Sequence, residues 1–391
     1  MHRTQPARFA PLASLTGLVC AAAMIVAGCH HGSKAAAKPG TPGGAGAATP
    51  AAEEQVARNL GPVYALGYRL QWRGYPQVGR GAGVKFLDVL GDVVAVQDGR
   101  NVLTVMEPSN GANRWSLDMG SSLSKFVGNA RIDDKLMCSS EYEVQVLDIR
   151  TGQIKARQHL AALANTPPVV QAPILIYGSS RGEILAHNSY SSHRLWEYKL
   201  AGSIRAKPIM VGDSVAAVSQ AGDVIFLDPR TGESGGRRRG IFGGLENELV
   251  ANDSTLFIAS TDQSIWAISS SDAKTLWRVR TPDPLTAQPA LNDGKLYQYV
   301  PSWGFTALDA GTGEKVWSKK DIAGSLIAVR AGKLLVWDKS HRVGMLLDPK
   351  NGDVLEKVEM PEAETIAFDA FVDGNAYVAK RDGSVEKYSP R

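Results

Sequence analysis

The chain has 391 residues, 44% apolar and 21% charged, the ordinary balance of a soluble globular body. Its formal charge is +4, and removing Arg3 and Arg8 with the first 28 residues leaves 4 − 2 = +2. So weak a field excludes nucleic acid as the main partner, because phosphate binding needs a dense basic stripe. The 40 glycines recur in turns along the chain, which favours many short strands joined by tight hairpins.

Arg3 and Arg8 form a short basic start, and 12–26 is an apolar run too short for a comfortable transmembrane helix. It ends in Val26-Ala27-Gly28-Cys29, which resembles a bacterial lipobox. Small residues let the extended chain enter the processing peptidase, and the Cys29 thiol is the nucleophile that accepts the lipid. The order of charge, apolar run, small residues and Cys predicts a lipoprotein signal over 1–28 and lipidation at Cys29. Acyl chains there hold a protein on a bilayer, since each buried methylene contributes about 0.8 kcal/mol. His30 follows the cysteine where an Asp would signal inner-membrane retention, so the expected location is the outer membrane, facing the periplasm. Residues 33–58 are Ala, Gly, Pro, Thr and Lys without hydrophobic periodicity. Residues 29–63 therefore read as a lipidated tether, whose 25 or so flexible residues span about 25–30 Å.

Of three cysteines, Cys20 falls in the signal and Cys29 in the lipobox, which leaves Cys138 without a partner. No intramolecular disulfide is expected, and Cys138 reads as a buried small hydrophobe.

From residue 64 onward the chain repeats. The clearest copy is Ala307-Leu308-Asp309-Ala310-Gly311-Thr312-Gly313-Glu314-Lys315-Val316-Trp317. With Asp309 as reference, equivalent anchors are Glu107, Asp148, Asn188, Asp228, Ser269, Asp309, Asp348 and Ser389, spaced by 41, 40, 40, 41, 40, 39 and 41. An alternating apolar strand runs into each anchor, whose short polar side chain is suited to cap the N–H groups of the next turn. Asp148, Asp228, Asp309 and Asp348 therefore read as structural. Four residues on, Gly111, Gly152, Gly232, Gly313 and Gly352 suit a left-handed hairpin position. Eight on, Trp115, Trp196, Trp277 and Trp317 are placed to pack between neighbouring units.

Two further apolar runs precede each anchor strand, so each unit is about four short strands, one propeller blade. The last copy stops at Arg391 without a fourth strand, and an orphan strand, Tyr68 to Arg73, carries Trp72 near the start. The fold expected over 64–391 is all-β: an eight-bladed β-propeller of four-stranded blades, closed by an N-terminal strand that completes the last blade. The 328 residues divide into eight units of 41. A seven-bladed ring would leave one anchor unexplained.

The Ala-x-Asp-x-x-Thr-Gly-x-x-x-Trp pattern resembles the tryptophan-docking repeat of quinoprotein (PQQ) alcohol dehydrogenases. An eight-bladed body of this size behind a lipobox is similar to the BamB family of lipoproteins of the β-barrel assembly machinery. That resemblance implies a scaffold without a catalytic site, with protein partners among outer-membrane assembly subunits and membrane contact through the lipid anchor only. Quinoprotein dehydrogenases use adjacent cysteines, Ca²⁺ ligands and an Asp base, and one spare cysteine cannot form a vicinal disulfide. No cofactor, no metal and no enzymatic activity are therefore expected. His159, His187, His193 and His341 show no metal-ligand spacing.

Two features suit partner binding. Arg237-Arg238-Arg239 replaces the start of a fourth strand, either as a basic loop for an acidic partner or as a solvated strand edge. Trp303 sits in a hairpin, as an exposed anchor or as a core indole. The alternatives to a scaffold are a propeller that binds an envelope polysaccharide and a degenerate, non-catalytic quinoprotein.

Overall fold

The computed structural model describes residues 61–391; the signal, Cys29 and the tether over 33–58 lie outside the described residues. After a single 3-10 turn over Pro62–Tyr64, every regular element is a strand. The strands form eight four-stranded antiparallel sheets. Seven are consecutive meanders: blade 1 covers 84–118, blade 2 126–159, blade 3 169–199, blade 4 209–240, blade 5 250–280, blade 6 290–319 and blade 7 325–359. Blade 8 takes three strands from 363–390 and its fourth from Tyr68–Gly74. Tyr68 stands opposite Pro390 and Gly74 opposite Val385. The orphan strand thus closes the ring, which removes the free edges of an open array.

The four strands of each blade run outward from a central channel as A to D, in chain order except that Tyr68–Gly74 is strand D of blade 8, and the A strands of neighbouring blades approach one another around the channel. The B and C strands are buried almost throughout, as in Val94–Asp98 and Val343–Leu347. Alternate side chains of these strands point to opposite faces of the blade, so each blade feeds two interfaces. The buried apolar residues accordingly form eight clusters, one for each interface. Trp72, Leu87, Val94, Met106, Tyr377 and Val385 make the closing cluster between blades 8 and 1. Cys138 is fully buried between blades 1 and 2, and burial pushes its free thiol up.

The meander fixes two unlike ends. A–B and C–D hairpins share the end that we term the turn end. B–C hairpins and the D-to-A connections share the connector end. Because Tyr68 faces Pro390, the strand Tyr68–Gly74 starts at the turn end, beside Arg391. Arg391 N–H there donates to the Gly67 carbonyl, 3.1 Å away.

A docking bond at the blade interfaces, and the candidate surfaces

Each C strand ends on its anchor, and the following turn depends on that residue. Oδ1 of Asp309 accepts from the N–H of Gly311 at 3.0 Å and of Thr312 at 2.8 Å. Asp148 and Asp228 do the same for Arg150, Thr151, Arg230 and Thr231, and Asp348 for Lys350. These N–H groups hold the Asp148, Asp228 and Asp309 carboxyls below the ordinary aspartate range.

A β-bulge follows in every blade but the fourth, between the anchor strand and strand D. In blade 6 Ala307 opposes Trp317 and Leu308 opposes Lys315, so Val316 is the extra residue. The extra residues Leu195, Leu276, Val316 and Leu355 point outward and are 42–54% exposed. The same bulge turns the tryptophan inward, onto the next blade.

There it meets a glycine. A Cβ on Gly111, Gly152, Gly232, Gly313 or Gly352 would lie 2.5–2.8 Å from the indole of Trp72, Trp115, Trp196, Trp277 or Trp317 respectively. Each indole Nε1 also donates to the carbonyl just after the next blade's anchor, at 2.9–3.1 Å: Pro108, Ile149, Pro229, Ala310 and Pro349. These glycines have φ of 72–77°, but so do their non-glycine equivalents adopt the left-handed region, Ser192 at 61° and Ala273 at 55°. Ser192 and Ala273 face blades 2 and 4, which carry Ala156 and Gly236 where the tryptophan would be. It is the indole, not the turn, that demands glycine.

In blades 2 and 4, where the tryptophan is missing, another side chain makes its hydrogen bond. Gln158 Nε2 donates to Ser189 O at 2.8 Å, and its Oε1 meets the buried His187 Nε2 at 2.7 Å. Burial lowers the His187 pKa. In blade 4, Arg237 Nη1 donates to Ser270 O at 3.3 Å and to Ser214 Oγ at 2.7 Å.

Arg237 is half-buried and committed as a substitute for a docking indole. Arg238 starts a short fourth strand, Arg238–Gly240, and pairs with Asp223 at 2.7 Å. The run is therefore the edge of blade 4 rather than a loop, and only Arg239 is exposed with no polar partner among the described residues. Trp303, in the B–C hairpin of blade 6, is partly buried against the blade 5–6 cluster. The Lys315 ammonium lies 3.6 Å from its ring centroid, so one face of the indole is already covered. The structure does not bring Arg239 and Trp303 together into one site. Sequence spacing missed Gln158 and Arg237 as docking residues because they lie at other offsets from their anchors than the tryptophans do.

Two surfaces remain open. At the connector end, Leu123 is 91% exposed, Phe242 70% and Tyr75 66%. Polar links between successive connections hold this end in register: Lys125 to Asn165 at 3.1 Å, Asn165 to Ile204 O at 2.8 Å, and Arg205 to Glu246 at 3.3 Å. The second surface is the channel. Its polar wall, a cleft of about 500 Å³, includes Asn129, Arg131, Asp133 and Lys207. Asn129 Nδ2 donates to Asp88 at 3.0 Å, and burial pushes the Asp88 carboxyl up to about 6. Its apolar wall, a cleft of about 570 Å³, is lined by the A strands of blades 4 to 8.

Among the described residues no three His, Cys, Asp or Glu side chains are placed to hold a metal ion, and Cys138 is buried. The residues present do not fit a quinone cofactor with its calcium. No helix among the described residues is long and apolar enough to cross a membrane.

The family described as outer membrane protein assembly factor BamB matches residues 63–272 and 222–385. Among solved structures, BamB from Moraxella catarrhalis is 17% identical with a TM-score of 0.63, over 78% of this chain and 93% of that one. The computationally designed Ika8 protein is 14% identical with a TM-score of 0.65, over 81% of this chain and 100% of that one. At these identities the likeness is one of fold. No curated protein matches the chain. With 63–385 matched and the indole-on-glycine docking repeated round a closed ring, the chain belongs to the PQQ-type propeller family of the outer membrane assembly factor BamB.

Proposed function

We propose that the protein is a lipid-anchored, periplasm-facing scaffold that binds protein partners in outer-membrane protein assembly and catalyses no reaction. The observation that carries this reading is the family match over 63–385, whose description is an assembly factor. The lipobox ending in Cys29 supports an anchor there, and the tether after it supports a body that stands off the membrane. The rigidity of the ring supports a scaffold as well. Eight packed interfaces, seven of them with a side-chain bond to the carbonyl after the anchor, hold loops from many blades in fixed relation, which lowers the ordering cost of docking a partner.

The test is affinity purification of the tagged full chain from detergent-solubilised membranes, beside a Cys29→Ser variant. Recovery of outer-membrane assembly subunits is expected, together with loss of the Cys29→Ser protein from the membrane fraction. Recovery of none of those subunits from membranes that contain the protein overturns the assembly role. Release of neither protein into the soluble fraction overturns the lipid anchor.

A further inference from the structure

The turn end has a composition that hairpin chemistry does not account for. Six of the eight A–B turns, which ring the channel mouth, contain Asp92, Asp133, Asp134, Asp213, Asp253, Asp293, Asp369 and Asp373; none of the eight contains Lys or Arg, although Lys135, Lys295 and Lys333 directly follow three of them. All eight aspartates are exposed. Only Asp133, Asp293 and Asp373 have positive φ, where Asp is a natural turn residue. Asp92, Asp134, Asp293 and Asp373 have cation partners in Arg131, Lys135, Lys295 and Arg330. Asp133, Asp213, Asp253 and Asp369 have none among the described residues. Asp213 and Asp253, on adjacent blades 4 and 5, also make no hydrogen bond there.

Inside this ring opens the apolar wall of the channel, where Ile209, Val250, Leu291, Ile327 and Ile366 are half-buried. Its rim is the A–B connection of blade 8, Asp369 to Asn375, which is longer than the other A–B turns. That segment is pinned to blade 7: Val329 N–H donates to Phe371 O and Asp373 N–H to Val329 O, both at 2.8 Å. Pinning leaves the Phe371 and Val372 side chains 37% and 54% exposed at the mouth.

We propose that the turn end docks a basic polypeptide segment that seats an aliphatic or aromatic side chain in the apolar cleft, an inference that rests on the scaffold reading above. Charge complementarity selects the occupant. An acidic ring raises the local concentration of cationic segments and rejects acidic ones, and an anionic lipid surface is repelled for the same reason. A buried apolar anchor within a polar rim is the usual anatomy of a protein interface. The cleft is wide enough for one or two side chains but is open at its mouth, which suits a segment of a larger partner.

Two measurements on the full chain test this. The first is fluorescence anisotropy with the labelled peptide Lys-Lys-Leu-Phe-Lys-Lys, beside its Glu-for-Lys counterpart. Asp213→Asn with Asp253→Asn is expected to weaken the basic peptide about two- to ten-fold at low salt, less at high salt. Phe371→Ser is expected to weaken it at every salt concentration. Equal binding of the acidic peptide, or no change in either variant, overturns the inference.

The second is photo-crosslinking in the protein's own cell, from benzoylphenylalanine at Val372 or, at the connector end, at Phe242. Crosslinks at 372 to a protein segment rich in Lys or Arg around an apolar residue support the inference. Crosslinks at 372 only to lipid or to a second copy of this chain overturn it. Crosslinks at 242 alone overturn it and leave the scaffold reading standing, whereas none at either position counts against both.

Discussion

Trp72 lies on Gly111. The indole comes from the first described strand and the glycine from the C–D hairpin of blade 1, and Trp72 Nε1 reaches Pro108 O at 2.9 Å. Lys387, from the last strand, donates to the same carbonyl at 2.8 Å. The two strands that close the ring therefore meet blade 1 at one backbone oxygen.

Gly111→Ala places a methyl 2.5 Å from the Trp72 ring, whereas a Cβ on Gly235, also at positive φ, meets nothing within 4 Å. The left-handed backbone costs either variant about 1 kcal/mol, and overpacking adds about 1–3 kcal/mol at Gly111 alone. Denaturant unfolding should rank Gly111→Ala well below Gly235→Ala. Equal losses would show that the indole yields at little cost.

Arg237 and Arg239 are two residues apart and have different roles. Arg237→Leu leaves the Ser270 carbonyl and Ser214 without their donor, a loss of about 1–3 kcal/mol. Arg239→Leu should change stability by less than about 0.5 kcal/mol. Thermal unfolding of the pair separates a docking residue from a surface one, and the two arginines behaving alike would refute the assignment.

Arg330 is a second clasp. Its guanidinium, on blade 7, donates to Gly67 O at 3.0 Å, to Asp373 at 2.7 Å and to Arg391 O. Arg330→Met should destabilise by about 1–3 kcal/mol through loss of its bonds to Gly67 O, Arg391 O and Asp373. It should also increase hydrogen exchange first in 68–74 and 385–391, the strands that close the ring. Exchange that rises evenly in all blades would deny Arg330 this local role.

Asp88 makes stability depend on pH. Burial raises its carboxyl from the ordinary 3.8 to about 6, so the folded protein holds this proton more tightly than the unfolded chain. The group costs nothing below pH 3.8, and its ionisation progressively destabilises the fold between pH 3.8 and about 6. Asp88→Asn keeps an acceptor for Asn129 and removes the charge. Its stability relative to the parent should rise from pH 4 to pH 7, by chemical denaturation at each pH, and a constant difference would contradict the shift.

The sequence by itself determined the repeat, the blade count and the closing strand. Those depend on local events that recur every forty residues: an apolar strand, a capping Asp309 or its equivalent, and a turn. The Trp–Gly pairing was half legible, since both positions were visible but not which tryptophan met which glycine. Only the tertiary structure decided that each indole meets the following blade. It also showed that Gln158 and Arg237 make the bond of missing tryptophans, because a side chain from a different offset can reach the same carbonyl once the strands are stacked. The two ends of the propeller were likewise invisible in one dimension. Aspartates some forty residues apart read as unrelated turn residues, and only closure of the ring gathers them around one channel mouth with the apolar wall inside.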